Sequence, residues 1–413
     1  MHSIDLILTL AGGLGAACLF GFATQRIGLS PIVGYLAAGL LVGPHTPGFV
    51  ADQHMAEQLA EVGIILLMFG VGLQFHLDEL IAVWRVAVPG AVAQSAVATL
   101  LGVGVGQLFG WPWTSGAVFG LGLAVASTVV LIRILSDHHD LHTRAGHIAV
   151  GWLVVEDLFT VLVLVIMPAV FGAGASQASV GLSLALAAVK VAVLTALVLV
   201  GGQRIVPALL TRVASTRSRE LFTLTVLALA LGISVASAQL FGVSMALGAF
   251  LAGLVVGRSE FSVRAATEAL PMRDAFAVLF FVSVGMLLDP GFVVRQPLLI
   301  LAALGVVVIG KPLVALILVL VWRYPLGVAL RIAVALAQIG EFSFIVASLG
   351  ESLGVITSDV RQTLIAAAMV SIAINPLLYR AIHRLVPVSN LSTRVRPVAP
   401  STRTANWPRR PWT

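Results

Sequence analysis

The chain is built from long runs that exclude charge. No Asp, Glu, Lys or Arg occurs between Arg85 and Arg133, nor between Glu220 and Arg258. A soluble domain could not hide runs of that length, because too much apolar surface would face water. Across the 413 residues only 10% are charged and 59% are apolar, whereas a soluble domain carries about 25% charged residues. The same figures exclude disorder. A β-barrel would alternate apolar and polar residues instead of massing them. The pattern predicts an all-α polytopic membrane protein. In such a protein an ionisable residue placed mid-membrane is costly, and it marks a functional site by default.

With about 20 residues per crossing, the apolar segments predict about thirteen transmembrane helices. Their expected bounds are 4–25, 30–44, 55–75, 83–109, 114–135, 144–172, 179–203, 219–239, 242–257, 272–289, 296–322, 326–350 and 360–384. Residues Met1 to Asp5 lack a basic region, so the first apolar stretch is expected to stay as a helix. Loops after odd-numbered segments, with the tail, hold 20 arginines, Arg331 among them; the other side holds only Arg295 and Arg361. By the positive-inside rule the N-terminus lies outside and the C-terminus in the cytoplasm. The net charge of +6 therefore marks membrane topology and not a nucleic-acid partner. The single cysteine, Cys18, allows no intrachain disulfide or cysteine metal cluster.

An internal repeat is visible. The stretch from Ser30 to Gly43 and the stretch from Ser244 to Gly257 share seven of fourteen residues at an offset of 214. Gln25 and Gly28 meet Gln239 and Gly242 at the same offset, and Val71-Gly72-Leu73 meets Val284-Gly285-Met286 at 213. The shift spans seven predicted helices, an odd number, so the halves are expected to be inverted. Two inverted six-helix repeats joined by a linker helix, about 179–203, are the pattern of alternating-access transporters.

The candidate chemistry lies in the mid-span polar residues. Glu156 and Asp157 are adjacent in one apolar segment. On a helix they project about 100° apart, so both can line one cavity. A buried carboxylate can hold a proton or a cation but not both well, and that competition is the minimum machinery of antiport. Lys311 lies mid-span and needs a partner, expected to be Asp157 or Glu156; the alternative is a static salt bridge. Lys190, in the linker segment, is expected to snorkel or to pair structurally.

Ser127 and Thr128 map by the 213 offset onto Gly340 and Glu341, beside Gln338. Such positions suit helix breaks that present carbonyls and half-helix dipoles to an ion. The hydroxyls could instead bond their own helix. Glu341 and Gln338 are expected in a polar or gating role. Glu61 and Asn375 are expected to satisfy backbone or interface groups, and Arg273 with Asp274 to form an interfacial salt bridge opening a helix. His138, His139, His142 and His147, with Asp137 and Asp140, are read as a solvated loop, with pH sensing or metal binding as alternatives. No HExxH, Walker A or GxSxG motif occurs, so nothing supports a hydrolase or an ATP-driven pump, and the chain is not expected to be an enzyme.

Five stretches in order carry a family likeness: Ala126-Ser-Thr-Val-Val130, Leu153-Val-Val-Glu-Asp-Leu158, Leu279-Phe-Phe-Val-Ser-Val-Gly-Met286, Gly310-Lys-Pro312 and Ala337-Gln-Ile-Gly-Glu-Phe-Ser-Phe344. Together they resemble the Kef-type branch of the monovalent cation–proton antiporters, over residues 5 to about 385. The resemblance implies a bacterial inner-membrane homodimer in membrane lipid. Its expected scaffold is helices over 4–75 and 219–289, and its moving core, over 83–172 and 296–384, holds two crossed broken helices. It implies that Asp157 binds cation and proton, that Lys311 is the core lysine and that Thr128 is the crossover threonine. K⁺ or Na⁺ and H⁺ are the implied substrates, with no cofactor. Glutathione-gated relatives carry Gln-Asp where this chain has Glu156-Asp157. In them a nucleotide-binding domain follows the membrane domain; residues 387–413, rich in Pro and Arg, are expected to be a disordered tail too short to fold one.

The expected function is electrochemically driven exchange of a monovalent cation for H⁺ by an elevator-like motion. A gated cation channel and a sodium-coupled organic-anion symporter are the alternatives on the same fold; a membrane sensor is the non-transport alternative. Three mid-span carboxyls against one mid-span lysine favour a cation site.

Overall fold

The computed structural model describes residues 2–46, 53–74, 77–171, 189–190, 192–241 and 244–385. Among them there is no strand. The first half holds α1 (His2–Arg26), α2 (Pro31–Val42), α3 (Gln53–Gln74), α4 (Leu77–Leu108), α5 (Trp113–Ala124), α6 (Thr128–Asp137) and α7 (Arg144–Phe171). A connecting helix, α8 (Ala192–Ser215), follows. The second half holds α9 (Arg219–Phe241), α10 (Met245–Gly257), α11 (Ser262–Met286), the short α12 (Pro290–Arg295), α13 (Pro297–Val321), α14 (Leu326–Ala335), α15 (Phe342–Ser352) and α16 (Ser358–Leu385). Among the described residues eight helices are long and apolar enough to cross a membrane: α1, α4, α7, α8, α9, α11, α13 and α16. The start of the linker predicted at 179–203 and the tail 387–413 lie outside the described residues.

The repeated sequences start their helices in the same way. Ser30 accepts from the Ile32 amide to cap α2, and Ser244 accepts from the Leu247 amide to cap α10. A serine hydroxyl here fills one of the amides a helix start leaves unpaired. The same stretches then cross partner helices at the closest approach the backbone permits. A Cβ on Gly39 would run into the Val282 carbonyl, and one on Gly253 into the Phe69 carbonyl. A Cβ on Gly285 would strike the Leu36 carbonyl, and one on Gly72 the Phe250 carbonyl. Each contact is matched by its equivalent at the 213–214 offset, so two glycine-lined crossings, α2 on α11 and α3 on α10, are built from equivalent residues. Small residues at such crossings let helices pack without a hydrophobic driving force between them.

Helices α1–α3 and α9–α11 pack mainly on one another, and α4–α7 pack with α13–α16. The second group surrounds the polar site. Two of its predicted spans are each a pair of half-helices: 114–135 is α5 plus α6, and 326–350 is α14 plus α15. Within α13 a π turn, Val306–Gly310, leads straight into Lys311-Pro312. Pro312 has no amide to donate, and the wider turn accommodates it while carrying Lys311 into the core.

Two boundaries differ from the sequence reading. The segment expected at 272–289 begins at Ser262, because Pro271 is held inside a continuous helix whose Ala265 and Ala269 are buried. Arg273 and Asp274 therefore sit within α11 rather than opening it, and their side chains pair at 2.6 Å. The linker helix runs on to Ser215, past its expected end, on an amphipathic turn that buries Val206 and Leu210.

Candidate functional site

The site is where the two broken helices cross. Between α5 and α6, Val125 and Ser127 adopt extended backbone, and Ser127 caps α6 by accepting from the Val130 amide. The opposite break spans residues 336–341. The Gly340 amide donates to the Val125 carbonyl at 2.9 Å. The Ser127 amide donates to Gln338 Oε1 at 2.8 Å, and Gln338 Nε2 donates back to the Ser127 carbonyl at 3.1 Å. By the 213 offset Ser127 is equivalent to Gly340, and Val125 to Gln338. The two breaks thus satisfy each other at equivalent positions, one through a backbone carbonyl and the other through the Gln338 side chain. A Cβ on Gly340 would collide with the Ala126 carbonyl, so the crossing needs glycine there.

Breaking a helix inside a membrane leaves amides and carbonyls that water cannot satisfy. Buried charges of matching sign serve both ends. Glu156, on α7, accepts from the Ala126 amide at 3.1 Å, at the start of α6. Lys311, on α13, donates to the Gln338 carbonyl at 3.2 Å, just past the end of α14. An anion at a helix start and a cation at a helix end each sit well in the half-helix dipole. Lys311 was expected to have Asp157 or Glu156 as its partner. Its hydrogen bond goes to the Gln338 carbonyl, which the break leaves unsatisfied within its reach; Glu156 is the carboxylate whose charge it feels, without direct contact between the two side chains.

Asp157, one residue on, has a different environment. Its Oδ2 accepts from the half-buried Thr128 hydroxyl at 3.0 Å. Its Oδ1 is buried and has no hydrogen-bond partner among the described residues, and the same holds for Glu341 Oε2. Glu156, Asp157, Lys311, Gln338 and Glu341 are all at most 4% exposed. The predicted residues Ser127, Thr128, Glu156, Asp157, Lys311, Gln338 and Glu341 therefore fall in one region, around a crossing where two buried carboxylate oxygens have no hydrogen-bond partner among the described residues.

The sequence reading passed over Gln94. It is fully buried on α4, and its Nε2 donates to Glu156 Oε1 at 2.7 Å. An amide in the middle of an uncharged span must find a partner, and that signal was available.

The histidine segment is not wholly a solvated loop. Asp140 is buried, accepting from Arg331 Nη1 and, at 2.8 Å, from the Tyr379 hydroxyl. Arg331, counted above among loop arginines, is only 1% exposed within α14. Its guanidinium ties α14 to the turn between α6 and α7, and Tyr379 adds α16. The His138 ring lies edge-on to Tyr379 and His383. Among the described residues no three His, Cys, Asp or Glu could hold a metal ion. Of the remaining polar groups, Asn375 donates to the Val334 carbonyl at 2.7 Å, near the end of α14. Glu61 and Lys190 are exposed.

Residues 14–383 match the family model described as "Sodium/hydrogen exchanger, transmembrane". The chain is 49% identical over 387 residues to an Escherichia coli (strain K12) protein named "Putative cation/proton antiporter YbaL", covering 93% of this chain and 69% of that one. It is 31% identical over 370 residues to "K(+) efflux antiporter 2, chloroplastic" of Arabidopsis thaliana, covering 88% of this chain and 31% of that one. Among solved structures it resembles the sodium proton antiporter MjNhaP1 from Methanocaldococcus jannaschii at pH 8, with TM-score 0.68 and 18% identity over 95% of this chain and all of that one. That likeness concerns the fold.

Proposed function

The chain belongs to the transmembrane sodium/hydrogen exchanger family, and from that premise we propose that it is a secondary antiporter exchanging a monovalent cation for H⁺ at Asp157. It is a multi-pass membrane transporter whose relatives are named as antiporters, not enzymes. K⁺ is the favoured cation, because relatives named for K⁺ efflux match along most of this chain; Na⁺ is the second candidate.

The observation that carries the reading is the open, buried Oδ1 of Asp157 beside the Thr128 hydroxyl. A buried carboxylate oxygen without a donor is costly, and a proton or a partly dehydrated cation would satisfy it. Only one of them can do so at a time. Deprotonated Asp157 takes the cation, Thr128 completes part of its oxygen shell, and Glu341 supplies a second open carboxylate oxygen nearby. Protonation of Asp157 discharges the cation. Exchange then requires that the crossing be exposed to each side in turn. The two packing groups, α1–α3 with α9–α11 and α4–α7 with α13–α16, support scaffold and moving core in an elevator-like cycle, and the matched glycine crossings support an inverted repeat. A homodimer in a bacterial inner membrane, N-terminus outside and C-terminus in the cytoplasm, completes the proposal.

The test is pH-gradient dequenching in proteoliposomes on addition of K⁺, Na⁺, Li⁺ or Rb⁺. Wild type is expected to move protons in proportion to the cation, and Asp157→Asn to be inactive while eluting as a folded protein. Full activity in that variant would remove Asp157 from the role. Large cation currents uncoupled from pH would make the protein a channel.

A further inference from the structure

Two carboxylates stand side by side on α7, yet their surroundings assign them different tasks. Every oxygen of Glu156 is already engaged: Oε1 accepts from Gln94 Nε2 at 2.7 Å and Oε2 from the Ala126 amide at 3.1 Å. Asp157 has one oxygen held by Thr128 and the other open. A carboxylate is an acceptor at both oxygens, whereas a protonated carboxyl must donate from one of them. The Ala126 amide is fixed by the crossing and can only donate. The Gln94 amide, as it is turned, donates as well, so both contacts favour the charged carboxylate. Gln94 Oε1 has no partner where it now lies, so the observed orientation is held by the carboxylate alone.

We propose that Gln94 is a positioning residue that holds Glu156 as a fixed acceptor at the crossing, which leaves Asp157 as the only member of the pair that exchanges proton for cation. The inference rests on the antiport reading above and deepens it. Gln94 touches no transported ion. It acts through Glu156, which Lys311 faces from α13 as the compensating charge, and Glu156 acts through the Ala126 amide at the head of α6, whose Thr128 meets Asp157, the carboxylate that Glu341 faces. The pair of carboxylates does not by itself imply that two protons move.

The experiment uses the full chain in proteoliposomes and reads two quantities. The first is the proton-to-cation coupling ratio, from the cation gradient that just balances an imposed pH gradient. Glu156→Gln keeps an acceptor for Ala126 and can donate to a turned Gln94, so its ratio is expected to equal that of wild type. The second is the acid limb of the pH–rate profile. Gln94→Leu removes the donor and lets Glu156 take up a proton, so the limb is expected to steepen from about one proton to about two. The double variant Gln94→Leu/Glu156→Gln has no second carboxyl to titrate and is expected to return to the single-proton limb, an effect that loss of packing at Gln94 would not produce.

A changed ratio in Glu156→Gln would overturn the proposal, as would an unchanged limb in Gln94→Leu. If Gln94→Leu does not fold, the Glu156→Gln ratio alone decides. Failure of the antiport reading looks different: wild type would show no coupled exchange, or Asp157→Asn would retain it.

Discussion

Glu156 and Lys311 attract each other across the helix crossing without touching, each hydrogen-bonded to a different broken helix. Glu156 accepts a hydrogen bond from the Ala126 amide at 3.1 Å, and Lys311 donates one to the Gln338 carbonyl at 3.2 Å. Ser127 and Gln338 join the two contacts through a reciprocal pair of bonds. Two opposite charges are thus buried because each stabilises the open end of a half-helix and each compensates the other. This explains how a chain so poor in charge keeps charges at its centre.

Removing the lysine should therefore damage the fold as well as transport. Lys311→Met leaves the Gln338 carbonyl unfilled and the Glu156 charge uncompensated. Breaking a buried charge pair by removing one partner costs about 3–5 kcal/mol. Lys311→Met is expected to melt well below wild type in a thermal unfolding scan in detergent. A Lys311→Met/Glu156→Gln double variant should recover part of the loss, since the orphaned charge is gone.

Thr128 should matter for affinity more than for stability. Its hydroxyl is half-buried and donates to Asp157 Oδ2 at 3.0 Å. A hydrogen bond to a charged group contributes about 1.5–3 kcal/mol, or roughly tenfold or more in affinity. Thr128→Ala is expected to raise the cation concentration for half-maximal exchange by about that factor. Thr128→Ser keeps the hydroxyl and should stay close to wild type. Equal effects of Ala and Ser would mean that the methyl group, not the hydroxyl, is what counts.

The Asp140–Arg331 pair makes a third case. Both side chains are at most 4% exposed, and Tyr379 donates to the free oxygen of the same carboxylate. Asp140→Ala should destabilise by about 3–5 kcal/mol, because it strips the buried guanidinium of its carboxylate. In a double-mutant cycle with Arg331→Leu the two losses should be far from additive. Additive losses would show that the pair is not coupled.

Much of this was legible in the chain, and for identifiable reasons. The apolar runs located the helices, since bilayer thickness sets their length. The 213–214 offset placed Ser127 and Thr128 opposite Gly340 and Glu341, and the structure crosses its broken helices there. Hydropathy could not show where α5 gives way to α6, because Val125 and Ala126 are as apolar as their neighbours. It also misplaced Arg331 and Asp140. Both look like rim charges in a linear reading, and only the folded chain brings together residues so far apart in sequence. Gln94 was missed because it carries no charge, although burial makes an amide nearly as demanding of a partner.

The central claim is that proton and cation compete for one carboxylate, Asp157. Competition has a definite sign: protons inhibit on the acid side by occupying the site, and more cation must push that inhibition to lower pH. The decisive measurement is the acid midpoint of exchange in proteoliposomes as a function of K⁺ or Na⁺ concentration. With the site near saturation, the midpoint should fall by about one pH unit for each tenfold rise in cation, the slope of one-for-one linkage. A midpoint that stays fixed while the cation rises would show that the two ions bind separate sites, and would contradict the account.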